Sequence, residues 1–289
     1  MTETLMRTLI SGPGVYDDMP DAIYHSDPTP DGSLSRSGAR EILPPKTPAH
    51  FAWWRENGRA PKRVFDFGHV AHARALGRGL DVAVVDADDW KLKKHQEERK
   101  AAYADGKAPI LRHESDTIDA MVAALRADKR AAPLFDLDRV KVEQSLFWTH
   151  ARTKTMCRSR PDILLRTSRG DYIAADYKTA EHADAEAFGK SSADYGYHLQ
   201  EWFTLEGLRA LGLDEAPRMV WVVQEKRPPH LVNVVQLTAK ASSYGRLKGE
   251  QAVTIYARCQ AEGRWPGYGP GIELADLPGW VTYGEDLAL

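Results

Sequence analysis

The sequence predicts an α/β fold, a central mixed β-sheet flanked by helices on both faces. Three observations predict it. Short β-prone runs cluster between residues 140 and 179 and again between 219 and 237, whereas stretches with helical spacing lie before, between and after them. This order, sheet then helix then more sheet, belongs to layered α/β domains rather than to bundles or sandwiches of strands alone. The chain of 289 residues is 43% hydrophobic, enough to bury a substantial core between such layers.

Residues 1–32 are rich in Pro, Gly, Asp and Ser and read as an extended, turn-rich lead segment. Ser33 or Ser35 can cap a helix that runs to Leu43, where Pro44-Pro45 stops it, and Pro48 to Asn57, with Trp53 and Trp54, suggests another short helix. Val64, Phe65, Val70, Ala71, Ala75 and Leu76 fit a buried helix in which Gly68 and Gly77 allow close backbone approach. Val82 to Val85 is a short strand candidate, and the polar, mixed stretch from Asp88 to Leu111 reads as a mobile insertion that orders near substrate. Glu114 to Arg130 has helical spacing through Ile118, Met121, Val122 and Leu125.

Strands follow at about 140–149, 153–157, 160–166 and 171–179, the last two joined by a turn at Arg169-Gly170, and then one long helix from about Ala183 to Leu211. Met219 to Lys226 and Leu231 to Leu237 add two strands across Arg227-Pro228-Pro229-His230, and a helix from about Ala239 to Glu262 precedes a Gly/Pro/Trp-rich tail. The expected organisation is a lead segment (1–32), a single domain (33–265) with a helical part (33–130) and a sheet-and-helix core (140–262), and a tail (266–289).

Composition excludes several classes. Two cysteines cannot build a dense disulfide framework or a four-cysteine zinc or iron–sulfur site within one chain. No run of about eighteen apolar residues exists and the N-terminus lacks the charged-then-apolar pattern of a signal peptide, so a cytoplasmic protein without a membrane partner is expected. There is no G-x-x-x-x-G-K-[ST] loop and no G-x-S-x-G elbow. The formal net charge of −2 carries no global signature of nucleic-acid binding. Two local clusters, Trp90 to Lys100 and the group Arg152, Lys154, Arg158 and Arg160, are either phosphate contacts or solvated faces.

The chemistry-bearing feature is Arg160-Pro161-Asp162, followed fourteen residues after the aspartate by Asp176-Tyr177-Lys178. Side chains alternate along a strand, so Asp176 and Lys178 share one face and Tyr177 takes the other, and a hairpin can bring Asp162 to the same spot. Two carboxylates form an open site for a hard cation such as Mg²⁺, which keeps waters and accepts substrate phosphate oxygens. A neighbouring ammonium can then orient the attacking water or assist proton transfer, which makes this set a minimal kit for phosphodiester hydrolysis. The alternative is an aspartate in a turn and an ordinary exposed Asp–Lys pair.

Further segments carry a family resemblance. RPD and DYK resemble the PD-(D/E)XK nuclease motif, while YHSDPTPDGSLSRSGAREIL followed by TPAHFAWW resembles the N-terminal signature of RecE-like phage and prophage exonucleases of the RecB-like branch. FGHVAHARALG resembles that branch's Gly-x-x-x-His helix and maps onto Gly68 and His72; VEQSLFW places Glu143 at the family's preceding glutamate; YHLQEWFTLEGL places Gln200 at its glutamine, with Thr204 where a tyrosine is usual. The resemblance spans about residues 24 to 210. It implies His72, Asp162 and Asp176 as metal ligands, with the backbone carbonyl of Tyr177 added and an imidazole that would suit Mn²⁺ as well as Mg²⁺. Lys178 is then catalytic.

Glu143 is either a water-mediated ligand or a solvated strand residue. Gln200 either contacts a phosphate or metal-bound water or makes a polar contact to the sheet. Arg160 either pairs with a phosphate or forms a salt bridge, and Arg158 and Lys154 join it as candidate DNA contacts. The resemblance further implies a 5′-to-3′ exonuclease on double-stranded DNA ends in a bacterial or phage-infected cell. It also implies a ring-shaped trimer or tetramer and a single-strand annealing protein as partner. An endonuclease on the same core and a non-catalytic DNA- or protein-binding module are the alternatives.

Overall fold

The computed structural model describes residue 10 and residues 12–58, 66–79 and 81–277. Val64 and Phe65 therefore lie outside the described residues, as do parts of the lead segment and of the tail. In chain order, β1 (Gly14–Tyr16), α1 (Asp21–His25) and β2 (Leu34–Ser35) lead into α2 (Arg36–Ile42) and α3 (Pro48–Asn57). Then come α4 (Asp66–Leu76), β3 (Val82–Val85), α5 (Lys93–Ala104), β4 (Ala108–Leu111) and α6 (Arg112–Ala127). The region of the acids holds β5 (Val140–Val142), β6 (Ser145–Thr149), β7 (Met156–Ser159), β8 (Ile163–Arg166) and β9 (Tyr172–Ala180). The chain continues through α7 (Ala185–Tyr195), α8 (Tyr197–Ala210), β10 (Arg218–Glu225), β11 (Val232–Val235) and α9 (Ala239–Glu262).

The α/β class holds, with the strands divided among sheets rather than gathered in one. A five-stranded mixed sheet has the order β11-β10-β9-β8-β5, in which only β9 and β10 run parallel. A four-stranded sheet has the order β1-β6-β7-β2, and β3 pairs with β4 in parallel. The large sheet separates two apolar layers. Trp221, Phe203, Leu199 and Val253 pack on one face and Ile163, Ala175, Tyr177, Val70 and Leu125 on the other. No helix among the described residues is long and apolar enough to cross a membrane.

Several elements differ from the sequence expectation. The strand expected at 140–149 is two strands in different sheets, because Glu143 adopts a left-handed conformation (φ 51°) that ends β5 and redirects the chain into β6. The long helix expected over 183–211 is α7 and α8, broken at Gly196 (φ 70°), where glycine meets no steric penalty. The stretch 88–111 is no loose insertion. It forms α5 and then β4, whose four residues are all buried. The lead segment adds β1 beside β6 and, through Asp27, hydrogen bonds to Ser33. Ser35, not Ser33, caps α2, accepting from the Gly38 amide at 3.2 Å.

α8 and α9 pack so closely that the interface requires glycine. A Cβ on Gly249 would fall 2.0 Å from the Trp202 ring, and one on Gly245 would fall 2.1 Å from the His198 carbonyl oxygen. This contact fixes α8, which carries Gln200 and packs on β6 and β7 as well as on β10.

Candidate active site

The acids lie where the chain passes between the two larger sheets. β5 belongs to the five-stranded sheet and β6 to the four-stranded one, with Glu143 at the crossing; β7 and β8 return across Arg160-Pro161-Asp162. The two crossings are tied by the Glu143 amide, which donates to the Asp162 carbonyl at 3.0 Å. Both residues thus sit outside the ladders, with side chains directed by the crossings rather than by strand alternation.

β8 and β9 form an antiparallel hairpin in which Ile163 pairs with Ala175, so extending the register by one residue sets Asp162 opposite Asp176. The Tyr177 amide donates to Asp162 Oδ2 at 2.8 Å and fixes that carboxylate against β9. Alternation along β9 does the rest. Tyr177 turns into the core, edge-on to Phe135, with its hydroxyl donating to Gln224 at 2.7 Å. Asp176 and Lys178 share the other face, where Lys178 Nζ donates to Asp176 Oδ1 and the Gln200 amide, from the first turn of α8, donates to Asp176 Oδ2.

His72 enters from α4. Its Nε2 lies 3.1 Å from Asp162 Oδ1 and its Nδ1 lies 3.8 Å from Glu143 Oε1. Arg78, just beyond α4, approaches Glu143 at 3.6 Å and Asp18 at 2.9 Å. Five of the sequence candidates therefore come together with Gln200: His72, Glu143, Asp162, Asp176 and Lys178.

The electrostatics follow from burial and crowding. Three cations, His72, Lys178 and Arg78, face three carboxylates, and Asp176 is only 1% exposed. Burial and the Asp162 charge raise the Asp176 pKa, whereas the imidazolium of His72, Lys178 and the Tyr177 amide outweigh burial and hold Asp162 below the usual carboxylate range. Burial, with Asp21 nearby, raises Glu143. Burial opposes charge on His72, yet Asp162, Asp176 and Glu143 prevail and raise it to about 9. Lys178 is likewise raised against its burial by Asp176 and Asp162, and stays an ammonium.

Among the described residues no three His, Cys, Asp or Glu side chains form a ready-made metal cage, because these groups satisfy one another instead. In kind they fit a divalent cation. Two neighbouring buried carboxylates, one with its pKa raised by burial and by the other, are what a positive ion would relieve, and imidazole beside carboxylates is a donor set for Mg²⁺ or Mn²⁺.

The basic candidates are elsewhere. Arg158 is buried, donating to the Ser33 carbonyl at 3.0 Å and pairing with Asp27 at 2.7 Å. Arg160, its side chain 8% exposed, donates to Ser145, Asp21 and the Met19 carbonyl, and its guanidinium lies 4.1 Å from the centre of the Tyr24 ring. Of the alternatives for Arg160, the structure shows the salt bridge: both arginines clamp the lead segment onto the four-stranded sheet. Lys154 is exposed in the β6–β7 turn, at the far end of that hairpin from Arg160. Thr204 is fully buried, 2.8 Å from Ser159.

Comparison with known proteins bears on this arrangement. A PDDEXK-like domain of unknown function (DUF3799) matches residues 46–278. The chain belongs to this family. It therefore carries a PDDEXK-like domain, of a nuclease superfamily whose members generally use divalent metal ions. A solved structure from Eubacterium rectale described as "Putative exonuclease" aligns over 93% of this PDDEXK-like chain and 100% of its own, at 9% identity and a TM-score of 0.56, a likeness of fold. A second, SSO0001, aligns over 66% of this chain and 85% of its own at 11% identity and a TM-score of 0.27. Among the curated proteins none matches.

In the PDDEXK-like chain, sequence reasoning missed Arg78 and Tyr197. Arg78 lies beyond the helix that carries His72, with no pattern to mark it. Tyr197 opens α8, and its ring centre lies 5.3 Å from Lys178 Nζ; an aromatic three residues before a matched glutamine was the available signal.

Proposed function

We propose that the protein is a metal-dependent deoxyribonuclease of RecE type, a 5′-to-3′ exonuclease that starts at double-stranded DNA ends in phage-type recombination. The observation that carries the hydrolytic part is the meeting of Asp162, Asp176 and Lys178 on one side of the β8–β9 hairpin, with His72 and Gln200 against them. The exonuclease part rests on the segments of RecE resemblance between residues 24 and 210.

Asp162, Asp176 and His72 would hold Mg²⁺ or Mn²⁺, with the Tyr177 carbonyl as a further ligand and Glu143 acting through water. When bound, such an ion supplies Lewis acidity toward the phosphate and its attacking water. The protein's residues supply the rest. Lys178 enters as an ammonium, so its Nζ orients water or gives a proton to the leaving oxygen. Gln200 holds the Asp176 carboxylate in one orientation, and the Tyr177 amide does the same for Asp162. A ring-shaped trimer or tetramer and a single-strand annealing protein belong to the same proposal, through the resemblance alone.

The test is degradation of linear duplex DNA with Mg²⁺ or Mn²⁺, with covalently closed circles as the second substrate. We expect the wild type to consume linear DNA and spare circles, and Asp176→Ala and Lys178→Ala to lose activity by about a hundredfold or more. Unchanged activity in both variants refutes the site; cutting of closed circles replaces exonuclease by endonuclease.

A further inference from the structure

An aromatic stack runs from the core to the surface beside Lys178. Trp221 is fully buried, Tyr197 stacks on it at 4.9 Å between ring centres and 27°, and Tyr195 stacks on Tyr197 at 5.8 Å and 27°. Phe188 backs Tyr197 at 5.7 Å and 18°. The stack ends in water, since Tyr195 is 55% exposed. Tyr195, Tyr197, Phe188, Lys178 and Lys226 line a cavity of about 300 Å³. That is the lower end of the range for ligand pockets, suited to a fragment rather than a whole cofactor. One acid also lines it, Glu181, which Lys226 and Arg227 neutralise at 3.0 and 3.4 Å.

We propose that this cavity is a nucleobase-stacking subsite, which takes the base of an unpaired nucleotide next to the phosphate handled by Lys178. The inference rests on the nuclease reading for its substrate. The physical case is independent of motif. Every base has a π face, and protein sites for unpaired strands combine aromatic platforms with cations that meet the backbone. Here Lys178 belongs to both, facing Asp176 on one side and the Tyr197 and Trp221 rings, at 5.3 and 5.8 Å, on the other. A paired base inside a duplex offers no free face, so the subsite selects a frayed or overhanging end.

The test uses the full chain without divalent metal, so that binding is read without cleavage. The probes are duplexes whose single unpaired end nucleotide, 5′ in one set and 3′ in another, is 2-aminopurine or an abasic residue. The wild type should quench 2-aminopurine at one of the two ends. Tyr195→Ala should lose the quench and bind that probe about five- to a hundredfold more weakly, while Tyr195→Phe keeps both. Abasic probes should bind wild type and Tyr195→Ala alike. The absence of quenching by the wild type at either end, equal affinity of wild type and Tyr195→Ala for the base-bearing probe, or an equal loss on the abasic probe each overturns the subsite. A parallel hydrolysis assay on linear duplex DNA separates the two claims: stacking without metal-dependent hydrolysis sinks the nuclease reading, and hydrolysis without stacking sinks the subsite.

Discussion

Asp176→Asn should separate the stability of this fold from its activity. The carboxylate is 1% exposed, and its pKa is raised by burial and by Asp162. Replacing it by an amide removes a buried negative charge that Asp162 repels, at nearly constant volume. The substituted amide can still accept from Lys178 through its oxygen, and a turn of the Gln200 amide presents that side chain's oxygen to the new NH₂. The metal-free fold should therefore keep its stability or gain up to about 1 kcal/mol, as expected where a site carries unfavourable electrostatics for function.

Ligand binding should respond in the opposite sense. A divalent ion at a hundred times its Kd stabilises the native state by about 2.7 kcal/mol. For a chain of this size that is a rise in Tm of about 4–5 °C. Thermal melts of wild type and Asp176→Asn, each with EDTA and with saturating Mg²⁺ or Mn²⁺, read both effects. The wild type should show the metal-induced rise, and the variant should melt at or above the metal-free wild type with the rise abolished. A variant that keeps the rise, or that melts well below the wild type in EDTA, would show that Asp176 is a structural partner of Lys178 and not a ligand.

Two other substitutions probe the surroundings of the site. Gly249→Ala places a methyl group 2.0 Å from the Trp202 ring, so α8 and α9 must separate; a loss at or above the usual ~1–3 kcal/mol for overpacking is expected, seen as a lowered urea midpoint. Glu201, buried with its pKa raised by burial and accepting from Ser242, has a folded pKa above its unfolded one. Its favourable contribution is present at low pH and lost as pH rises through the folded pKa, so Glu201→Gln should raise Tm at about pH 8 and bring no advantage near pH 4. An equal or lower Tm for that variant at the higher pH would contradict the sign.

The hairpin that carries the acids was legible because two local signals agree: the turn at Arg169-Gly170 and the β-prone runs on either side of it, 160–166 and 171–179. The split of α7 from α8 was marked by Gly196 inside a helical pattern, a signal that the apolar periodicity around it overrode. The segment 88–111 misled because its long polar part, which becomes α5, masks the short apolar strand Ala108–Leu111, whose burial comes from pairing with β3 and from packing against α4, α5 and α6. Arg158 and Arg160 were legible as cations but not as internal clamps, since Asp21 and Asp27 lie more than a hundred residues earlier.

Glu143 is the instructive case. In VKVEQSLFW the alternation of Val140-Lys141-Val142 gives way at Glu143 to three polar and then three apolar residues, a break that does not by itself specify a left-handed residue. The conformation is imposed from outside, by the Glu143 amide bonding to the Asp162 carbonyl where the chain crosses between sheets in both directions. A residue held in a ladder must present its side chain to one face of one sheet, whereas a residue at a crossing is free of that constraint and can turn toward a helix between them. That freedom is what lets Glu143 and Asp162, from different crossings, both meet His72 on α4. The two crossings are thus what brings the imidazole and these acids together, while β9 contributes Asp176 and Lys178 by alternation alone.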